Sequence, residues 1–175
     1  MGASGGVGSF AVQIAKALGA NVTGVASGPK LDAVRALGAD DVIDYTTTPL
    51  DGREQRYDVI IDAGGRNRLA TLRRALTATG TLVIVGGEGG DRFTGGLGRQ
   101  LRAALLSPFV KQRLVFFMSS ESLESIEQIA EYLRDGTVAA AVGHRYRLAE
   151  APSAIAAMAA GQLTGKAVIA VAAEV

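Results

Sequence analysis

Four glycines fall within the seven residues Gly2-Ala3-Ser4-Gly5-Gly6-Val7-Gly8, immediately ahead of a segment with helical spacing. Ala3, Gly5 and Gly8 fit the G/A-x-G-x-x-G spacing, and Gly2, Gly5 and Gly8 fit a related form with three-residue steps. The need for small residues at these steps is steric. One makes a tight turn, one lets backbone approach a pyrophosphate, and one lets helix and strand pack closely. The helix start then offers unpaired N–H groups and a partial positive charge to an anion. A glycine-rich turn before an ordinary helix has the same local appearance, so the order of the segments that follow decides between the two readings.

That order alternates. Val7 to Leu18 reads as a helix with Val7, Ala11, Ile14, Ala15 and Leu18 on one face, stopped at Gly19. Val22 to Ala26 reads as a strand. A helix with Pro29 in its first turn runs through Ala33, Val34 and Leu37 to Gly38. Val42 and Ile43 make a brief strand, Thr46 to Arg56 a loop, Tyr57 to Ile61 a strand, Leu69 to Leu76 a helix and Thr81 to Val85 a strand. A glycine-rich loop spans Gly86 to Gly98. Leu101 to Val110 is helical until Pro108 ends or kinks it. Leu114 to Phe117 is a strand, and Leu123 to Leu133 an amphipathic helix stopped by Gly136. The chain closes with strand Gly143 to Arg147, helix Ala151 to Ala160 and strand Ala167 to Val171. Near-continuous apolar strands alternating with helices predict an α/β fold, a doubly wound parallel sheet covered on both faces.

Composition narrows the function. A net charge of +1 gives no broad electrostatic case for a nucleic-acid partner. No apolar run is long enough to span a membrane. The chain has no cysteine and a single histidine, His144, so no metal site is expected within it. His144 falls in a late strand with Arg145 and Arg147 and reads as structural or solvent-facing. The expected setting is cytoplasmic.

The second strand ends at Ala26-Ser27 without the acid that an NAD-preferring site places there for the adenosine ribose. Ser27 and Lys30 offer instead a hydroxyl and a cation suited to a 2′-phosphate. The competing reading of Lys30 is a solvated residue in a first helical turn. Asp32 lies further on, inside the helix, and is expected to face solvent.

GASGGVGSFAVQIAKALGANVTGVAS, followed by LDAVRALGADDVIDY, resembles the medium-chain dehydrogenase/reductase superfamily, in its quinone oxidoreductase-like (zeta-crystallin-type) branch. The likeness continues through YDVIIDAGG, GTLVIVGG, RLVFF and the closing GKAVIAV. The resemblance implies NADP(H) held by the first loop (Gly2, Ser4, Gly5, Gly6, Val7 and Gly8), by Ser27 and Lys30, and by Tyr45. It brings Ala63, Gly64, Val85 and Gly86 near the ribose and nicotinamide, with Phe116 and Phe117 at the nicotinamide end. Tyr45 reads equally as a half-buried packing residue, and Phe116 and Phe117 as core. Some close relatives carry a basic residue where this chain has Pro29, which leaves the phosphate grip to Lys30.

The reaction implied is hydride transfer from NADPH to a quinone or activated alkene. A fragment of a zinc-dependent alcohol dehydrogenase and a non-catalytic NADPH-binding or structural fragment are the alternatives. In the family a strand precedes the glycine loop and a GroES-like catalytic domain completes the cleft. Both are expected to be missing, so no catalytic residue is assigned and the isolated chain is expected to be inactive. Residues 1–136 read as the NADP-binding Rossmann domain, and 137–175 as the segment that returns to the catalytic domain. A gap is expected between strands Val22–Ala26 and Tyr57–Ile61, with the final strand a candidate to fill it, from its own chain or from a second copy as a domain swap. The family tendency to pair through the strand Leu114 to Phe117 implies a homodimer.

Overall fold

A computed structural model describes residues 1–50, 56–65, 67–85, 98–116 and 122–171, with 99–101 described by backbone alone. The elements run α1 (Gly8–Ala17), β1 (Thr23–Ala26), α2 (Leu31–Ala36), β2 (Asp41–Asp44), β3 (Tyr57–Asp62), α3 (Leu69–Ala75) and β4 (Leu76–Ile84). They continue with α4 (Gly98–Leu106), β5 (Arg113–Phe116), α5 (Leu123–Arg134), β6 (Val142–Arg147), α6 (Ala151–Ala159) and β7 (Lys166–Ala170). The strand pairs described are all parallel, in three sheets ordered β1-β2, β3-β4-β5 and β6-β7. The chain divides into two compact units, one of Met1–Gly2 with Tyr45–Ser120 and one of Ala3–Asp44 with Glu121–Val175.

In the first unit the apolar strands bury Ile60, Leu82, Ile84 and Leu114, and α3 contributes Leu72 and Ala75. Each large side chain so buried contributes roughly 1.5–3 kcal/mol of hydrophobic stabilisation. The register Val83↔Val115 and Ile84↔Phe116 brings the carboxyl ends of β4 and β5 level. Met1 lies alongside β3. Its amino group donates to the Ile61 carbonyl at 2.7 Å, and its carbonyl accepts from the Ala63 N–H at 3.2 Å. Burial lowers the pKa of that ammonium, and the Asp62 carboxylate pulls it back up. Pro108 ends α4 as expected, passing the chain into a 3-10 turn over Ser107–Phe109.

The second unit is centred on Val34, which is fully buried with Ala3, Val12 and Ala26. Val22, Leu31 and Leu37 pack against that cluster. Gly24 on β1 lies directly beneath Val34, and a Cβ there would overlap the valine Cγ1. Asp40 fastens the approach to β2: its carboxylate accepts from Lys16 at 2.8 Å and from the Val22 N–H at 2.7 Å.

Along α1 the stripe Val7, Ala11, Ile14, Ala15, Leu18 is open at its ends, with Val7 54% and Leu18 72% exposed, while Ser9 and Val12 are buried. Val12 joins the Ala3–Val34 cluster, and this contact orients the helix. Within this chain the final strand pairs with β6, in the register Arg145↔Val168 and Tyr146↔Ile169, and not with β1 or β3. Two glycines allow this pairing, since Gly143 and Gly165 press against the backbone carbonyls of Thr164 and Ala141.

Candidate dinucleotide site

The glycine loop turns into α1 without a side-chain cap at Val7. Ser9 N–H donates to the Gly5 carbonyl and Ala11 N–H to the Val7 carbonyl, at 2.9 and 3.0 Å. The N–H groups of Gly5, Gly6 and Val7 have no acceptor among the described residues. Orphan amides at a helix start, with the positive end of the helix dipole behind them, suit an anion.

In the second unit these amides have cationic company. A Cβ built on Gly6 would stand 2.8 Å from the Lys166 ammonium, so the absence of a side chain at Gly6 lets that cation lie over the loop. The Ser4 carbonyl accepts from the Gly165 N–H at 2.7 Å, which fastens the loop to the residue just before β7. Ser27, half-buried, opens the 3-10 turn Gly28–Lys30 with its side chain making no cap. Lys30 donates to the carbonyls of Gly161 at 2.6 Å and Leu163 at 2.7 Å. Asp32 faces solvent and pairs with Arg35 at 2.6 Å.

In the first unit Ala63, Gly64, Val85 and Phe116 stand at strand carboxyl ends, where open α/β sheets receive ligands. Gly2 adopts φ +73°, and a Cβ there would lie 3.1 Å from the Gly64 nitrogen, so these two backbones touch. Ala63 and Gly64 follow β3, and Val85 follows β4, its N–H donating to the Asp62 carbonyl at 3.0 Å. Asp62 itself is fully buried and accepts from the Gly65 N–H at 3.2 Å. Phe116 ends β5 and is 46% exposed, and Tyr45 is 47% exposed, so neither ring is core. Gly86 and Phe117 lie outside the described residues. A cleft of about 740 Å³ opens beside Gly65, lined by Arg68, Leu69, Arg102, Leu105 and Leu106.

Two residues of this neighbourhood escaped sequence reasoning. Lys166 belongs to the closing strand, and only the Gly-Lys step at its start hints at a cation near the loop. Asp44 ends β2, paired in register with Ala26, and its carboxylate stands 2.7 Å from where a Gly28 Cβ would be. An acid thus stands beside the turn that follows β1. His144, half-buried on β6, stacks on Tyr146 with ring centroids 6.2 Å apart. Among the described residues no three His, Asp or Glu side chains gather where they could hold a metal ion, and no helix is long and apolar enough to cross a membrane.

A glycine loop opening a helix, parallel strands and small residues at their carboxyl ends define a Rossmann-type dinucleotide-binding architecture. Residues 37–169 match the family model described as zinc-binding dehydrogenase, and the chain belongs to that family, as a cofactor-binding domain of the quinone oxidoreductase-like branch of the medium-chain dehydrogenase/reductase superfamily. Among its relatives is the mouse (Mus musculus) protein named NAD(P)H oxidoreductase RTN4IP1, mitochondrial, 33% identical over 97% of this chain and 46% of that protein. The chloroplastic quinone-oxidoreductase QR1 of Triphysaria versicolor is 29% identical over 95% of this chain and 50% of its own length. The solved quinone oxidoreductase from Coxiella burnetii superposes with a TM-score of 0.78 at 25% identity, over 98% of this chain and 51% of that one. The chain thus spans about half the length of the curated relatives it matches.

Proposed function

We propose that this chain is the NADPH-binding part of an oxidoreductase that passes hydride from NADPH to a quinone or activated alkene. The observation that carries the reading is the set of amides at Gly5, Gly6 and Val7 that have no acceptor among the described residues, with the Lys166 ammonium over Gly6. A dinucleotide pyrophosphate fits that donor set, since charge-assisted hydrogen bonds from backbone amides and an ammonium are the strong ones. When bound, the nicotinamide supplies the hydride. Gly2, Ser4 and Gly8 would complete the phosphate loop. Ala63, Gly64, Val85 and Gly86 would border the ribose and nicotinamide, with Tyr45, Phe116 and Phe117 offering aromatic faces.

Ser27 and Lys30 would receive the 2′-phosphate. An ammonium has three N–H donors, and two on Lys30 are spent on carbonyls, so one remains for the phosphate. The cleft beside Gly65, lined by leucines and arginines, is the candidate place for the acceptor. The names of the relatives above support the same class of reaction.

In this reading residues 1–136 form the NADP-binding domain and 137–175 the segment joining it to a catalytic domain, and the isolated chain is inactive. Among the described strands β5 is the edge of its sheet and carries the exposed Phe116, which supports a homodimer paired along that strand. Fluorescence titration with NADPH and NADH tests the binding claim. Saturable binding with NADPH the tighter ligand is expected, and no binding of either would end the reading.

A further inference from the structure

Lys30 bonds to a segment 131 and 133 residues away in the chain, the turn that ends α6. Gly161 closes that helix at φ +66°, with its N–H on the Met158 carbonyl and the Gln162 N–H on the Ala157 carbonyl. This is a Schellman end, where a left-handed residue turns the chain out and glycine alone pays no Cβ penalty. A cation at the negative end of the helix dipole is well placed. The same segment then reaches the glycine loop. Gly165 N–H donates to Ser4 O at 2.7 Å, Lys166 N–H donates to Ala141 O at 2.7 Å, and the Lys166 side chain lies over Gly6.

We infer that Lys30 is a positioning residue for the phosphate loop: it clasps Gly161 and Leu163, and so fixes the strap, residues 161–166, that supports Ser4 and carries the Lys166 ammonium to Gly6. The inference rests on the dinucleotide reading of that loop. It differs from a 2′-phosphate grip in one respect. A grip acts on NADPH alone, whereas the clasp acts on any dinucleotide, because it sets the loop before a ligand arrives. Lys30 therefore makes two separable contributions, one shared by NADH and NADPH and one confined to NADPH.

The test uses the whole chain and two variants, Lys30→Met, similar in length but without donors, and Lys30→Arg, which keeps them. Amide hydrogen exchange at Gly165 is followed without cofactor, and NADH and NADPH affinities are measured by fluorescence. Lys30→Met is expected to speed Gly165 exchange and weaken NADH about five- to thirtyfold, the factor that follows from losing a hydrogen bond or two. NADPH should lose more. Lys30→Arg should restore Gly165 protection and NADH affinity.

Unchanged Gly165 exchange and unchanged NADH affinity in Lys30→Met would overturn the clasp and leave Lys30 a phosphate grip only. If Lys30→Met does not fold, the unmodified chain still decides. A slowly exchanging Lys30 ammonium signal by ¹⁵N NMR is expected, and a signal like that of a solvated lysine would refute the clasp. A chain that binds neither cofactor would defeat the functional reading, while the exchange and ammonium measurements still judge the clasp itself.

Discussion

The Lys166 ammonium stands 2.8 Å from the point where a Cβ on Gly6 would lie, so a residue of the last strand and a residue of the first loop share one small space. If that cation serves the pyrophosphate, its loss should affect every dinucleotide alike. Lys166→Met is expected to weaken NADPH and NADH by the same amount, about 1.5–3 kcal/mol, the range for a hydrogen bond to a charged group. Fluorescence titration measures it. A loss confined to NADPH would move the cation to the 2′-phosphate instead.

Gly24 offers a test of the core that supports the loop. The missing Cβ is what lets Val34 lie on β1. Gly24→Ala should overpack the Ala3–Val34 cluster and destabilise the chain by about 1–3 kcal/mol, read from denaturant unfolding. Val34→Ala in the same background should recover part of that loss, since it vacates the space the new methyl needs.

Asp40 gives the fold an acid-sensitive fastening. The Lys16 ammonium and the Val22 N–H hold its carboxyl below the ordinary carboxylate value of 3.8. The folded state therefore binds this proton less readily than the unfolded state, and stability follows that difference. The contribution is fully present above the unfolded pKa and is lost as pH falls through the lower, folded value. Asp40→Asn should lower stability at neutral pH and converge on the unmodified chain in strong acid. A constant offset between the two at all pH values would show that the charge is not what matters.

The order of elements was legible in the sequence because each is specified locally. Periodicity placed α1, β3 and α5 to within a residue or two, and Pro108 marked the end of α4. The buried face of α1 was not legible. Helical spacing cannot say which of two apolar stripes meets a neighbour, and Val12 was chosen by contact with Ala3, Ala26 and Val34. Lys30 was legible as a cation near the second strand, but its partners Gly161 and Leu163 were not, because backbone carbonyls have no sequence signature. The same limit hid Asp44, whose nearness to Gly28 depends on the register of β1 with β2.

Assembly is testable at the β5 edge. Light scattering at micromolar concentration should give twice the 18.0 kDa chain mass. Phe116→Glu, which sets a charge on that edge, should shift the particle toward the monomer. A monomer in the unmodified chain would remove the edge-pairing proposal without touching the dinucleotide site.

If the loop Gly2–Gly8 binds the pyrophosphate of NADPH, Gly5 is the residue expected nearest to it. The most direct measurement is a titration of the chain and of Gly5→Val with NADPH, with far-ultraviolet circular dichroism recorded on both. The unmodified chain should saturate below about 1 mM, the upper end of ordinary enzyme KM values, and Gly5→Val should not bind, with its spectrum unchanged. Equal binding by the two chains would mean that the loop is only a turn.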